Sequence, residues 1–75
     1  MKHIEELIVD GGEITLGAVD DIECAATAAD GSNALAMLVR REGETLNALL
    51  KRLDMAIARF YETGETTDEI NSPSD

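Results

Sequence analysis

One amphipathic segment constrains the fold of this chain more than any other feature. Between Glu44 and Tyr61, apolar side chains recur three and four positions apart, which is the spacing of one helix face. The stripe consists of Leu46, Leu49, Leu50, Leu53, Ile57 and Phe60. Polar and charged residues occupy most of the other positions, so the segment predicts a long helix whose apolar side must be covered by another part of the chain.

The ends of this helix also have sequence signals. Glu44 or Thr45 is expected to begin it, with an acidic side chain at the end that the helix dipole favours. Gly64 is expected to end it, because glycine takes the left-handed conformation that commonly follows the last helical residue.

A second, shorter helix is predicted from Lys2 to Val9. Its apolar residues are Ile4, Leu7 and Ile8, which share one face at helical spacing. Either Gly11 or Gly12 can supply the left-handed residue that ends it.

After Gly12 the apolar period changes from helical to strand-like. Residues 13–19 alternate, and after the polar pair Asp20 and Asp21 the segment from Ile22 to Ala29 alternates again. Two alternating runs separated by a short polar break predict a β-hairpin. Residues 30–33 form the next turn, since they combine a glycine with Asp, Ser and Asn.

The segment from Ala34 to Arg40 permits two interpretations. Ala, Leu and Met favour a helix, and Ser32 or Asn33 would be a suitable N-cap. A strand is preferred because the segment has only seven residues, follows a tight turn and is apolar on both faces. As a strand, it needs the long helix over one face and either the N-terminal helix or a second copy of the chain over the other.

The element order helix, strand, strand, strand, helix predicts an α+β fold. We expect a three-stranded antiparallel meander with the long C-terminal helix packed on it, because short hairpin connections join only antiparallel neighbours. Residues 1–64 would form one small domain, and residues 65–75 an acidic flexible tail. Docking of this tail through Ile70, on the body or on a partner, is the alternative.

The charge is strongly acidic and unevenly distributed. Sixteen acidic and six basic residues give a formal net charge of −10, which argues against direct binding to nucleic acid or to an anionic membrane. Five of the six basic residues fall in one part of the sequence: Arg40, Arg41, Lys51, Arg52 and Arg59. The acidic remainder serves either solubility or attraction of a basic partner, while the bases either pair with the chain's own acids or form a basic patch.

The sequence predicts no catalytic, cofactor-binding or metal-binding residue. His3 and Cys24 are the only histidine and cysteine, so a nucleophilic triad is not expected, and Cys24 is expected to be a small buried side chain. Asp20, Asp21 and Glu23 lack the ligand spacing of a calcium loop. A single thiol, the lack of a signal-peptide pattern and the lack of a long apolar run lead us to expect a cytoplasmic protein.

A chain of 75 residues is small for a stable lone core. With neither a disulfide nor a metal expected, oligomerisation is the natural support, and we expect a homodimer formed through the sheet or the helices. The predicted function is a non-enzymatic protein-interaction module. The alternative is an acidic inhibitor that mimics nucleic acid and binds a basic nucleic-acid-binding partner.

Overall fold

The computed structural model describes residues 1–71 and confirms the α+β fold. The elements are α1 (Lys2–Val9), β1 (Glu13–Val19), β2 (Ile22–Asp30), β3 (Asn33–Val39), α2 (Leu46–Thr63) and β4 (Thr67–Asp68). The strands form one sheet in the order β1-β2-β3-β4. The first three strands are the predicted antiparallel meander, and the short β4 pairs with β3 in parallel.

Two tight turns set the register of the meander. Val19 pairs with Ile22, so Asp20 and Asp21 alone connect β1 to β2, and Asp20 has a positive φ of 51°. Aspartate tolerates this left-handed conformation better than most residues. In the second turn Gly31 has a φ of 62°. Two-residue turns with positive φ match the twist of the flanking strands, which is why both hairpins form where the sequence predicts them.

The ambiguous third segment is a strand, and the helical alternative is wrong. Its backbone pairs with β2 along its length, which outweighs the weak helical preference of Ala, Leu and Met. The register shifts between Ala28 and Ala29, so that Leu35 is an extra residue on β3. Leu35 and Ala36 are both buried in the core as a result.

Both helices end as the sequence predicts. Thr45 is the N-cap of α2, and its hydroxyl accepts a hydrogen bond from the Ala48 N–H at 3.0 Å. Gly64 follows α2 with a φ of 76°. After α1, Gly11 has a φ of 93°. The Gly12 N–H donates to the carbonyl oxygen of Leu7, in the last turn of α1.

The core lies between one face of the sheet and the two helices. Leu49, Leu53 and Ile57 of the predicted α2 stripe are fully buried, whereas Leu46 at the start of the helix is 46% exposed. The remaining core side chains come from α1, the strands and the third turn of α2: Leu7, Ala26, Ala28, Leu35, Ala36, Leu38 and Ala56. Because α1 and α2 share this one cluster, both helices lie on the same side of the sheet.

The start of α1 is held by α2. The Oδ1 atom of Asp54 accepts hydrogen bonds from the backbone N–H groups of His3 and Ile4 at 2.8 and 2.9 Å. Met1, the N-cap residue, offers no side-chain hydrogen bond of its own. A carboxylate from a neighbouring helix therefore satisfies two of the unpaired N–H groups at the end of α1 where negative charge is favoured.

The C-terminal segment differs from the predicted free tail. Thr67–Asp68 forms β4 against β3, and Ile70 is half-buried, in agreement with the docking alternative. Backbone hydrogen bonds at the edge of β3 and an ion pair between Glu69 and Arg52 hold the segment there. The flexible-tail prediction for residues 72–75 lies outside the described residues.

Candidate functional site

One face of the sheet carries no helix. Ala26 and Ala28 of β2 point into the core, so the alternating residues Ala25, Thr27 and Ala29 point the other way. Both helices occupy the core side of the sheet. On the other side Ala25 is fully buried, whereas Thr27 and Ala29 remain partly exposed. The prediction that β3 would need cover on both faces is therefore met on one face only.

The helix-free face is built from small and uncharged side chains at its centre. Cross-strand pairing places these residues together: Thr15 and Gly17 of β1, Ala25, Thr27 and Ala29 of β2, and Ala34, Met37 and Val39 of β3. Thr27, Met37 and Val39 are only partly buried. Acidic residues lie toward the periphery of this face: Glu13 at the start of β1, Glu23 near the start of β2, and Asp68 of β4, which pairs with Met37. A surface of short side chains allows another sheet to approach to the usual ~10 Å.

Within residues 1–71, the acidic residues of the N-terminal half have no lysine or arginine partner. Eight of them fall on α1, β1, β2 and their connections: Glu5, Glu6, Asp10, Glu13, Asp20, Asp21, Glu23 and Asp30. All eight are exposed. Among the described residues none of the eight forms an ion pair with a lysine or arginine; only Glu6 approaches a nitrogen of His3, at 3.8 Å. This half of the molecule therefore presents uncompensated negative charge.

Two arginines of the C-terminal half, Arg52 and Arg59, pair with nearby acids. Arg52 contacts Glu44 at 2.7 Å and Glu69 at 3.1 Å, and Arg59 contacts Glu65 at 3.0 Å. This outcome matches the interpretation that the bases pair with the chain's own acids, for Arg52 and Arg59.

Arg52 is the centre of the densest polar cluster in the described structure. Its Nε donates to Glu44 at 2.7 Å, and its Nη2 donates both to Glu44 at 3.0 Å and to the Val39 carbonyl oxygen at 2.9 Å. Its Nη1 donates to Glu69 at 3.1 Å. The planar guanidinium thus joins the loop before α2, the end of β3 and the C-terminal segment.

This cluster shifts the acid–base equilibria of its members. The Arg52 side chain, together with the backbone N–H of Arg41 at 2.9 Å, stabilises the carboxylate of Glu44 and lowers its pKa from 4.5 to about 2. Glu44 in turn raises the pKa of Arg52, with Glu69 contributing, although partial burial opposes the change. Both groups are therefore charged across the ordinary pH range.

The structure does not bring together the residues that the sequence analysis considered for catalysis or metal binding. Cys24 is half-buried on β2, where it packs against the core, and Asp20 and Asp21 form an exposed turn. His3 is half-buried at the start of α1. In the part of the chain that the structure describes, no three His, Cys, Asp or Glu side chains are grouped so that they could hold a metal ion.

Sequence reasoning missed the Arg52 cluster and the role of Asp54. Glu44 and Arg52 are eight positions apart, which is close to two helical turns. This spacing is the only feature of the sequence from which their pairing could have been predicted. Glu69 lies 17 positions beyond Arg52, and Asp54 lies 51 positions beyond His3. Contacts of that separation follow from the tertiary fold and leave no local pattern.

Two further findings bear on function. Neither helix among residues 1–71 combines the length and the hydrophobicity that crossing a membrane requires. Comparisons with protein families, with curated proteins and with solved structures found no match to this chain.

Proposed function

We propose that this chain is a non-enzymatic protein-interaction module that acts as a homodimer, joined through the helix-free face of the sheet. The observation that carries this proposal is the uncovered face itself, with Thr27, Met37 and Val39 at its centre. In a two-layer α+β domain, the second face of the sheet is the largest surface that a partner can cover without rearranging the core.

Charge favours a second copy at this face. Two chains of net charge −10 repel each other wherever their acidic surfaces meet. The residues that β1, β2 and β3 place at the centre of the helix-free face are uncharged, and Asp68 of β4 lies beside Met37 at one edge of the face. In the described structure, α1 and the β1–β2 turn carry exposed carboxylates without a lysine or arginine partner. A two-fold arrangement through this face keeps most of the like charges apart. It also adds buried area to a domain whose own core is small.

The sedimentation behaviour of two matched variants tests the homodimer. We expect a dimer mass for the unaltered chain at tens of micromolar and a monomer mass for Thr27→Arg, which places like charges opposite each other across the two-fold axis. Met55→Arg is the control, because Met55 lies on the outer side of α2 and is 70% exposed. It should keep the dimer mass. A monomer mass for the unaltered chain would contradict the proposal.

An acidic inhibitor of a basic nucleic-acid-binding protein is the second candidate function. It is favoured by the eight exposed carboxylates between Glu5 and Asp30 that have no lysine or arginine partner in the described structure. Carboxylates already neutralised within the chain would gain little from a basic partner, whereas unpaired ones attract it over a distance of about a Debye length.

Capture from a native lysate at low and moderate salt tests this second candidate. The test variant combines four substitutions in the N-terminal half: Glu5→Gln, Glu6→Gln, Asp10→Gln and Glu13→Gln. The control variant combines three in the C-terminal half: Glu42→Gln, Glu62→Gln and Glu65→Gln. We expect the unaltered chain and the control variant to retain the same basic nucleic-acid-binding protein, with retention falling as salt rises. The test variant should not retain it. If both variants retained the captured protein equally poorly, the attraction would be non-specific, and this result would contradict the proposal.

The proposed setting is the cytoplasm. A chain with one cysteine, Cys24, cannot form an internal disulfide, which suits a reducing compartment.

A further inference from the structure

The C-terminal segment 66–70, here called the strap, covers the edge of β3 that faces away from β2. Ala36 and Met37 pair with Thr67 and Asp68 in parallel register. The Glu69 N–H donates to the Met37 carbonyl oxygen at 2.8 Å. The strap therefore satisfies backbone groups that an edge strand would otherwise leave open to pairing with another chain.

Side chains of the strap complete the cover at both ends. The Thr66 hydroxyl donates to the carbonyl oxygen of Ala34 at 3.0 Å. Oε1 of Glu69 accepts from the Val39 N–H at 2.9 Å, while Oε2 accepts from Arg52 at 3.1 Å. The Glu69 side chain thus binds both the edge of β3 and the charge cluster on α2.

Detachment of the strap would not leave an unpaired charge buried in the protein. Arg52 contacts Glu44 through Nε and Nη2 and the Val39 carbonyl oxygen through Nη2, so its pairing is largely independent of Glu69. Glu69 itself retains 27% side-chain exposure and would enter water readily. Few residues pair in β4, and Gly64 and Glu65, just before the strap, are both exposed. Release therefore gives up the β4 pairing, the contacts of Glu69 with Val39 and Arg52 and the partial burial of Ile70, in exchange for hydration of these groups.

The two edges of the sheet differ in what they would do if uncovered. β1 begins with Glu13, a charged residue of the kind that opposes edge-to-edge association. Register shifts do not distinguish the two edges, because both pairings have one, and on β3 the extra residue is Leu35. β3, from Asn33 to Val39, contains no charged residue and no proline. Its edge also already accepts a strand, namely β4, so it has the geometry for strand addition.

We propose that the strap is a releasable cover, and that its release lets the β3 edge pair with the β3 edge of a second copy in a two-fold, continuous sheet. This step is separate from association through the helix-free face. It makes Glu69 the residue whose contacts decide whether the edge is available.

Amide exchange measured by NMR tests the first half of the proposal. In Glu69→Ala, we expect the Val39 amide and the amide of residue 69 to exchange at least tenfold faster than in the unaltered chain. Glu65→Ala is the matched control, because the Glu65 carboxylate pairs with Arg59 on the surface. It should leave both rates unchanged. Unchanged Val39 exchange in Glu69→Ala would overturn the strap as a cover.

Sedimentation in the Thr27→Arg background tests the second half without depending on the helix-free face. The full-length double variant Thr27→Arg, Glu69→Ala is expected to have twice the mass of Thr27→Arg alone at tens of micromolar. Thr27→Arg combined with Glu65→Ala should have the mass of Thr27→Arg. A double variant with faster Val39 exchange but no gain in mass would overturn edge pairing, and it would leave the proposed dimer through the face untouched.

Discussion

The two halves of this small domain use charge in opposite ways. The N-terminal half, from α1 through β2, carries exposed carboxylates without lysine or arginine partners in the described residues, whereas the C-terminal half pairs Arg52 and Arg59 with acids of its own. The difference shows that the net charge of −10 is not distributed evenly over the surface of the protein. One half uses ion pairs to hold segments together, and the other leaves its charge available to the surroundings.

The largest expected difference between the halves is in apolar packing. Leu53→Ala on α2 should lower the free energy of unfolding by roughly 2–5 kcal/mol, because Leu53 is fully buried between the helix and the sheet. Leu16→Ala on β1 should cost less than about 1 kcal/mol, since Leu16 is 41% exposed. Urea unfolding of both variants checks this. Similar midpoints would mean that the core does not centre on α2.

Removal of the central arginine should have the next largest effect. Arg52→Ala leaves Glu44 and Glu69 without their shared cation and removes the bond to the Val39 carbonyl, so we expect a loss of roughly 1–3 kcal/mol in unfolding free energy. Arg59→Ala removes an exposed pair and should cost under about 0.5 kcal/mol. Denaturant titrations in parallel measure both losses, and equal values would contradict the distinction between a partly buried cluster and a surface pair.

Acid should reveal the contribution of Glu44. Its pKa is lowered from 4.5 to about 2 in the folded chain, so the stabilisation is fully present above pH 4.5 and is lost as the pH falls toward 2. The melting temperature of the unaltered chain should therefore decline more steeply over this window than that of Glu44→Gln. Glu62→Gln serves as the control and should keep the steep decline. A Glu44→Gln profile parallel to that of the unaltered chain would refute the assignment.

The smallest effect is expected from neutralising acids of the N-terminal half. Glu5→Gln with Glu13→Gln removes charges that have no lysine or arginine partner among residues 1–71, so stability should change by no more than about 0.5 kcal/mol. Any gain should appear at low salt, where repulsion is strongest. Melting curves at two salt concentrations measure the change. A clear loss of stability would show that these carboxylates support the fold and are not free for a partner.

Local signals explain what the sequence could predict. The α2 stripe, the Thr45 and Gly64 ends and the β1–β2 turn depend on residues within a few positions of one another, and the structure shows each of them. The third strand was harder, because its composition favours a helix and only pairing with β2 decides the matter.

Long-range contacts explain what the sequence could not predict. β4 forms because Glu69 reaches both Val39, 30 positions earlier, and Arg52 on α2. By composition its surroundings resemble a disordered tail, since acids, threonines and glycine dominate. The candidate interface was only partly foreseen: the need for cover on both faces of β3 was predicted, but the position of α1 beside α2 was not.

The hydrogen bonds from Asp54 to the start of α1 have a consequence for the order of folding. An eight-residue helix is too short to persist alone in water. Because the carboxylate that caps α1 lies 51 positions beyond His3, the first helix along the chain completes its N-terminal turn only when α2 has docked. We therefore expect α1 to form only after α2, which is synthesised later, has folded, so that formation of α1 reports contact between the two helices.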